Sequence, residues 1–340
     1  MSYQSSAFAA LVPFLLILSA GFLAVVEAQK QQASEQTRFR FQGCRPASIK
    51  HIVVFGDSFS DNGNVFELSH GSWPRSAFYY DGRFSNGPVW GDYISMDGRI
   101  NMTNYAFGGA TTDSETVQGY SGANGDIPVP GFIQQIEDYY LQDDYAPHTQ
   151  EMNSTLFVIN FQGNDFYFNS TIDTQTVLAN IERGIDRLVD LGGRHLVVVE
   201  NIDSGRLPCY QRNSTLSKLK SAQSRKQHTE YRDLMQRLAE KHGRQARTGS
   251  SVFYNCMDSN SNSAVGKKVN IAFFDLFALF ERLYEGRQLK RMGISDVVHG
   301  CVNEDATKTC SDPGRHFYSD LFHPSTKVHR EVANGLLQLL

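Results

Sequence analysis

The chain has 340 residues, with 32 Lys and Arg against 36 Asp and Glu for a formal net charge of −4, and 41% of its residues are hydrophobic. That length and apolar content suffice for one large domain with a substantial core. The mildly acidic balance argues against a nucleic-acid partner, and no internal repeat, heptad or low-complexity tract points to a fibrous or solenoid architecture.

The first 28 residues read as a targeting segment. Residues 8–26 are almost wholly apolar, and Val26, Glu27 and Ala28 place small or compact side chains where a signal peptidase reads. About eighteen apolar residues can also span a bilayer, but Ser19, Ala20 and Gly21 dilute this run and no stop-transfer flank follows it. The expectation is therefore cleavage and a secreted, extracellular chain with no stable membrane insertion afterwards. Residues 29–50 then form a polar lead-in to a single domain over 51–340.

An oxidising compartment gives meaning to two further features. Of the cysteines at 44, 209, 256, 301 and 310, Cys301 and Cys310 flank a short polar loop and are the expected disulfide. Pairing of Cys44, Cys209 and Cys256 stays open, since three thiols cannot all pair within one chain. Asn101, Asn153, Asn169 and Asn213 each begin an Asn-x-Thr triplet that can accept an N-glycan.

Residues 51–64 read HIVVFGDSFSDNGN. Ile52, Val53, Val54 and Phe55 form an uninterrupted apolar run, the pattern of a strand buried on both faces of a parallel sheet. The run stops at Gly56, and Asp57, Ser58, Ser60 and Asp61 follow. Ser58 is thereby placed at a strand's carboxyl edge, where open α/β sheets hold their ligands. Residues 78–94 read FYYDGRFSNGPVWGDYI, a loop broken by Gly82, Gly87 and Pro88 and followed by a helix from Trp90. Its aromatic residues Phe78, Tyr79, Tyr80 and Phe84 suit either the core or an acyl pocket.

A second strand is expected over 100–106, ending in Gly108 and Gly109, which let the backbone approach a ligand closely. Residues 114–131, rich in Gly and Pro, predict a long irregular loop over the rim of a site, and residues 132–145 have helical periodicity. A third strand over 156–161 ends in Gly163, Asn164 and Asp165, where a side-chain amide can serve as an oxyanion donor. Strands over 195–202 and 269–277 follow, with helices over 177–191 and 217–242 between them. Residues 217–247 carry nine Lys and Arg against three Asp and Glu, read as a solvated face or a contact for an anionic surface. Near the end stands Asp320-Leu-Phe-His323-Pro324, in which a short loop can let an aspartate orient an imidazole. Such a pair could also be half of a metal site, but no second ligand set has matching spacing, so no metal is expected. Residues 325–340 make a closing amphipathic helix.

Taken in order, GDSFSDNGN, FGGATT, GND and DLFHP resemble the sequence blocks of the GDSL esterases and lipases, the SGNH hydrolases, and GRFSNG is similar to a segment of their secreted members in plants, fungi and bacteria. The resemblance spans residues 51–324. It implies a three-layer α/β/α flavodoxin-like sandwich around a five-stranded parallel sheet, agreeing with the five apolar strands counted above. It further implies Ser58 as nucleophile, His323 as base and Asp320 as its acid, with an oxyanion hole from Ser58, Gly109 and Asn164. The activity implied is ester hydrolysis through an acyl-enzyme, with no cofactor. The substrate would be a small-molecule, saccharide or lipid ester, with short-chain or acetyl esters foremost, those of plant cell-wall saccharides among them. The alternatives are a lipase or acyltransferase on longer chains and a non-catalytic binding protein that kept the fold.

Overall fold

The computed structural model describes residues 49–96, 100–144, 151–242 and 269–339. The expected leader over 1–28, Cys44 and Cys256 lie outside the described residues. Strand β1 (His51–Gly56) is followed by helix α1 (Trp90–Ser95), β2 (Asn101–Asn104) and a hairpin of β3 (Gly119–Ser121) with β4 (Ile127–Val129). Next come β5 (Thr155–Asn160), the short helix α2 (Asn164–Phe168), α3 (Thr174–Asp190), β6 (His195–Val199), α4 (Ser214–His242) and β7 (Asn270–Phe274). Helix α5 (Leu276–Leu283), the pair β8 (Asp296–Gly300) and β9 (His316–Tyr318), and α6 (Thr326–Leu337) complete the fold.

Five strands form one sheet in the order β2-β1-β5-β6-β7, and every neighbour pairing within it is parallel. Residues of β1, β5, β6 and β7 are buried on both faces, as a covered parallel sheet requires, while the edge strand β2 is exposed to half-buried. Val53, Phe55, Phe157, Ile159, Leu196 and Val198 join a core with Phe132, Ile136, Ile181, Ile185, Leu234 and Leu238 from one helical layer. Their alternates Ile52, Val54, Val158, Val197 and Ala272 are equally buried and point to the opposite face. The architecture is the expected three-layer α/β/α sandwich with five parallel strands.

Several boundaries move for local reasons. The strand expected over 269–277 stops at Phe274, because the Asp275 carboxylate accepts the Ala278 N–H at 2.8 Å and starts α5. Asp173 caps α3 in the same way through Thr176 N, and Asn213 moves the start of α4 ahead of 217 by accepting from Thr215 N and Leu216 N. The segment expected to be irregular over 114–131 holds the β3–β4 hairpin, with Gly119 opposite Val129 and Ser121 opposite Ile127. The helix expected over 132–145 is a composite: Phe132–Gln134 is α-helical, Gln135–Tyr139 forms a π turn and Tyr140–Gln142 a 3₁₀ turn. The π turn sets Gln135, whose side-chain amide exchanges two hydrogen bonds with the backbone of Gly56, at 3.0 and 2.8 Å.

Strands β8 and β9 form a separate parallel pair, and between them Cys301 and Cys310 are joined in a disulfide. Cys209 is half-buried and forms no disulfide among the described residues. The 301–310 bond closes a nine-residue separation immediately before the chain turns into Ser319–His323. Replacing both cysteines with serine should lower the unfolding free energy by about 2–3 kcal/mol, the loop-entropy value for so short a loop. Chemical denaturation of the double variant measures it, and an unchanged midpoint at unchanged slope would refute it.

Candidate active site

The chain leaves β1 through a turn in which the backbone N–H groups of Ser60 and Asp61 both bond the Asp57 carbonyl at 2.9 Å. That turn brings Ser58 out of the sheet edge while Asp57 and Asp61 point inward. Asp57 accepts the Phe59 N–H at 3.0 Å and, across the sheet, the Gln162 N–H at 2.5 Å. Asp61 accepts from Gly63, Asn64 and Val65 in its own segment and from Gly108 N at 2.8 Å. Burial pushes both carboxyls up to about 6, against the pull of these N–H donors.

Ser58 Oγ lies 2.7 Å from His323 Nε2. His323 Nδ1 lies 2.7 and 2.9 Å from the two oxygens of Asp320. Asp320 also accepts the backbone N–H groups of Phe322 and His323 at 2.8 and 2.7 Å, which bends the Asp-x-x-His loop back on itself. Burial alone would raise the Asp320 carboxyl, but the His323 charge and these donors hold it below the usual carboxylate range. Burial would likewise lower the His323 imidazole, and the Asp320 charge and hydrogen bond, helped by Asp57, lift it above its ordinary value instead.

Gly109 and Asn164 lie beside this trio. Gly109 has φ +90°, and a Cβ there would stand 2.1 Å from the Tyr120 carbonyl oxygen of the hairpin, so only glycine fits. Asn164 donates its amide to the Ala110 carbonyl at 2.9 Å and stands 3.5 Å from an Asp57 oxygen. Its neighbour Asp165 accepts Thr112 Oγ1 at 2.6 Å and Thr112 N at 3.1 Å. Ser58, Gly109, Asn164 and His323 all line one cleft of about 670 Å³. The cleft continues past Phe84, Phe166, Tyr167 and Phe168 to the side of α4.

Some supporting residues escaped the sequence reading. Tyr79, a candidate for core or pocket, donates its buried hydroxyl to Asp320 Oδ2 at 2.8 Å. The GRFSNG segment clamps the histidine loop from one side. The Phe84 ring lies 5.3 Å from the His323 ring, Ser85 Oγ donates to the Pro324 carbonyl at 3.2 Å, and Asn86 accepts the Thr326 N–H at 2.9 Å. Only the order of polar residues around Gly82 and Gly87 hinted at this, since none of these partners is near in sequence.

The other expectations fall elsewhere on the surface. Asn101, Asn153 and Asn213 are exposed and Asn169 is half-buried, leaving all four accessible to a modifying enzyme. Glu200, His228 and Asp275 bring one donor atom each within 4.8 Å of one another, a grouping of metal-ligand type missed in the sequence. Its charges already have company: His228 Nδ1 bonds Glu200 Oε1, and the Arg232 guanidinium lies 3.4 Å from Asp275 Oδ2. Burial pushes the Glu200 carboxyl up to about 8, against the pull of its hydrogen bond to His228.

Comparison with known proteins places the chain. It is 25% identical over 308 residues to the thermolabile hemolysin of Vibrio parahaemolyticus, covering 86% of this chain and 64% of that protein. It is 30% identical over 173 residues to the phosphatidylcholine-sterol acyltransferase of Aeromonas hydrophila, covering 48% of each. The chain thus spans less than two thirds of the length of these two relatives. It is 24% identical over 378 residues to a GDSL esterase/lipase of Arabidopsis thaliana, with 94% of this chain and 91% of that one covered. Residues 52–336 match the family model described as GDSL-like Lipase/Acylhydrolase, and with that match over most of its length the chain belongs to the GDSL-like lipase and acylhydrolase family.

Proposed function

We propose that this protein is a serine ester hydrolase that works through an acyl-enzyme, with Ser58 as nucleophile, His323 as general base and acid, and Asp320 as the group that orients and charges the imidazole. The observation that carries this reading is the unbroken chain of contacts Ser58 Oγ–His323 Nε2 and His323 Nδ1–Asp320, at 2.7 Å each. A serine hydroxyl is a weak nucleophile near neutral pH. As Oγ attacks the ester carbonyl, its proton passes to Nε2, and Asp320 stabilises the imidazolium that forms. Negative charge on the tetrahedral oxygen would be met by the N–H groups of Ser58 and Gly109 and the Asn164 amide. The imidazolium then gives its proton to the leaving alkoxide. Water, deprotonated by the same nitrogen, attacks the acyl-enzyme and releases the acid.

The cleft bears on the acyl group. An acetyl group would fill a small part of about 670 Å³, and the aromatic lining favours the longer-chain alternative over acetyl esters. The Aeromonas hydrophila relative is named for phosphatidylcholine, a lipid ester, which supports the same reading. Export of the chain is part of the reading, supported by the apolar leader over 1–28, the Cys301–Cys310 disulfide and the accessible sequons. Two measurements test the core of it. A serine-directed phosphonate should leave one adduct, on the peptide carrying Ser58. A nitrophenyl ester series from acetate to laurate should give rising kcat/KM with chain length; labelling at another serine, or a maximum at acetate, would overturn the corresponding half.

Asn164→Ala should lower kcat on the order of a hundredfold with KM little changed, since the oxyanion exists only in the transition state. The lost bond to Ala110 should cost only about 1 kcal/mol of stability. Steady-state kinetics beside thermal unfolding of the same preparation separates the two, and a kcat within a few-fold of wild type would remove Asn164 from the oxyanion hole.

Tyr79→Phe takes a donor from Asp320 and leaves the carboxylate a stronger acceptor for the imidazolium. Because ester attack needs neutral His323, kcat/KM falls on the acid side of that group's titration, and Asp320 already holds the titration above the ordinary histidine value. The variant should shift this acid limb to still higher pH, with a smaller loss on the plateau. An unmoved limb would make Tyr79 a packing residue only.

A further inference from the structure

Gln162, Asn164 and Asn201 bring three side-chain amides to the wall of the cleft. Gln162 is fully engaged: its Nε2 donates to Asn160 Oδ1 at 2.6 Å and to the Glu200 carbonyl at 3.0 Å, and its Oε1 accepts the Ile202 N–H at 3.1 Å. Asn164 gives an N–H to the Ala110 carbonyl and is the oxyanion donor of the reading above. Asn201 is left. It follows β6, is only 8% exposed, and its Nδ2 has no acceptor among the described residues, while its Oδ1 has a donor.

The Asn201 amide is held in place. Gln162 fixes the backbone on either side of it, at Glu200 and Ile202. Its Oδ1 accepts the hydroxyl of Tyr231 at 3.2 Å, and Tyr231 is a buried residue of α4. With Oδ1 turned to α4, Nδ2 turns toward Gly163, where a Cβ would lie 3.7 Å from it. Gly163 also lines the cleft, with φ +96°, and having no side chain it leaves the Asn201 N–H groups uncovered. A buried amide fixed at its oxygen and open at its nitrogen is a donor ready for a ligand's acceptor.

Sheet order decides which part of a substrate supplies that acceptor. The strands run β2, β1, β5, β6, and Gly109, Ser58, Asn164 and Asn201 follow them in that order. Asn201 therefore lies beyond the oxyanion hole and meets a group beside the scissile ester, not its carbonyl. An unsubstituted acyl chain has no second oxygen, so the acceptor belongs to the alcohol part.

We propose that Asn201 is a specificity-determining residue whose Nδ2 donates to an uncharged oxygen in the alcohol part of the substrate, so that the ester of a polyol is preferred to that of a simple alkanol. This rests on the hydrolase reading above and adds the residue that recognises the leaving alcohol. Water in the open cleft serves the amide when a substrate brings no such oxygen. The preference is therefore that of one neutral hydrogen bond, about fivefold, and not the far larger discrimination of a sealed polar site.

The test compares 1-hexanoylglycerol with propyl hexanoate, two uncharged esters with the same acyl group and the same carbon skeleton in the alcohol. The alcohol departs during acylation, so its contact is read in kcat/KM, and deacylation, common to both esters, is blind to it. Wild type should favour the glycerol ester about fivefold, and Asn201→Ala should bring the ratio close to unity. Taking the ratio cancels any general loss from altered packing. Tyr231→Phe keeps the amide but frees it to turn, and should reduce the preference by less. A turnover-free arm measures the binding of 1-O-hexylglycerol by calorimetry, expected to be several-fold weaker in Asn201→Ala. If neither ester is hydrolysed, the hydrolase reading fails and the ether still decides the contact. Equal kcat/KM for the two esters on wild type, a preference undiminished in Asn201→Ala, a greater loss in Tyr231→Phe than in Asn201→Ala, or unchanged ether binding would each overturn the proposal.

Discussion

Three buried carboxylates hold the sheet edge together. Asp57 reaches from the first strand's turn to the backbone of Gln162 after β5, Asp61 from the same turn to Gly108 after β2, and Asp165 from α2 to Thr112 after β2. Each joins two of the three loops that carry Ser58, Gly109 and Asn164, so the loops are triangulated by charge-assisted bonds to backbone N–H groups. The arrangement is costly, since a buried carboxylate must give up its hydration, and the raised values of Asp57 and Asp61 express that cost. What it secures is position: the three loops that carry Ser58, Gly109 and Asn164 are tied to one another at fixed backbone N–H groups.

The histidine loop is held by different means. It grows from the β8–β9 pair, outside the five-stranded sheet, so the sheet's own register cannot place it. A Cβ on Gly300 would lie 2.2 Å from the Asp320 carbonyl oxygen, and this close approach seats the loop on the end of β8. From the other side Tyr79, Phe84, Ser85 and Asn86 meet Asp320, His323, Pro324 and Thr326. The 79–86 segment is the bridge between the two halves of the site, since it follows Ser58 in sequence and touches Asp320 and His323 in space.

The sheet was legible because parallel strands buried on both faces leave apolar runs such as Ile52–Val54 and Leu196–Val199 with nothing else to mean. The loops that carry polar groups at those strands' ends were legible by order and company, and Ser58, Asp320 and His323 do come within hydrogen-bond distance. The supporting residues were not. Tyr79 has the composition of a core residue, and its role lies in one hydroxyl meeting a carboxylate 241 positions away. Gln135 looked like a polar position in a helix until a π turn aimed its amide at Gly56. The β3–β4 hairpin was hidden by its own chemistry, because Gly119, Pro128 and Pro130 spoil the alternation that marks a strand.

Helix α4 shows how the same residues can mean two things. As sequence, its basic excess between 217 and 247 suggests a solvated face. In the fold, Glu200 and Asp275 at the ends of β6 and β7 meet His228 and Arg232 and fix the middle of the helix to the sheet edge. The apolar second half is committed to the core beyond that point, and the polar first half is left to wall the cleft. The polar anchor thus divides the helix into a part packed on the core and a part that walls the cleft. The division explains why a helix of 29 residues carries a continuous apolar stripe over only its second half.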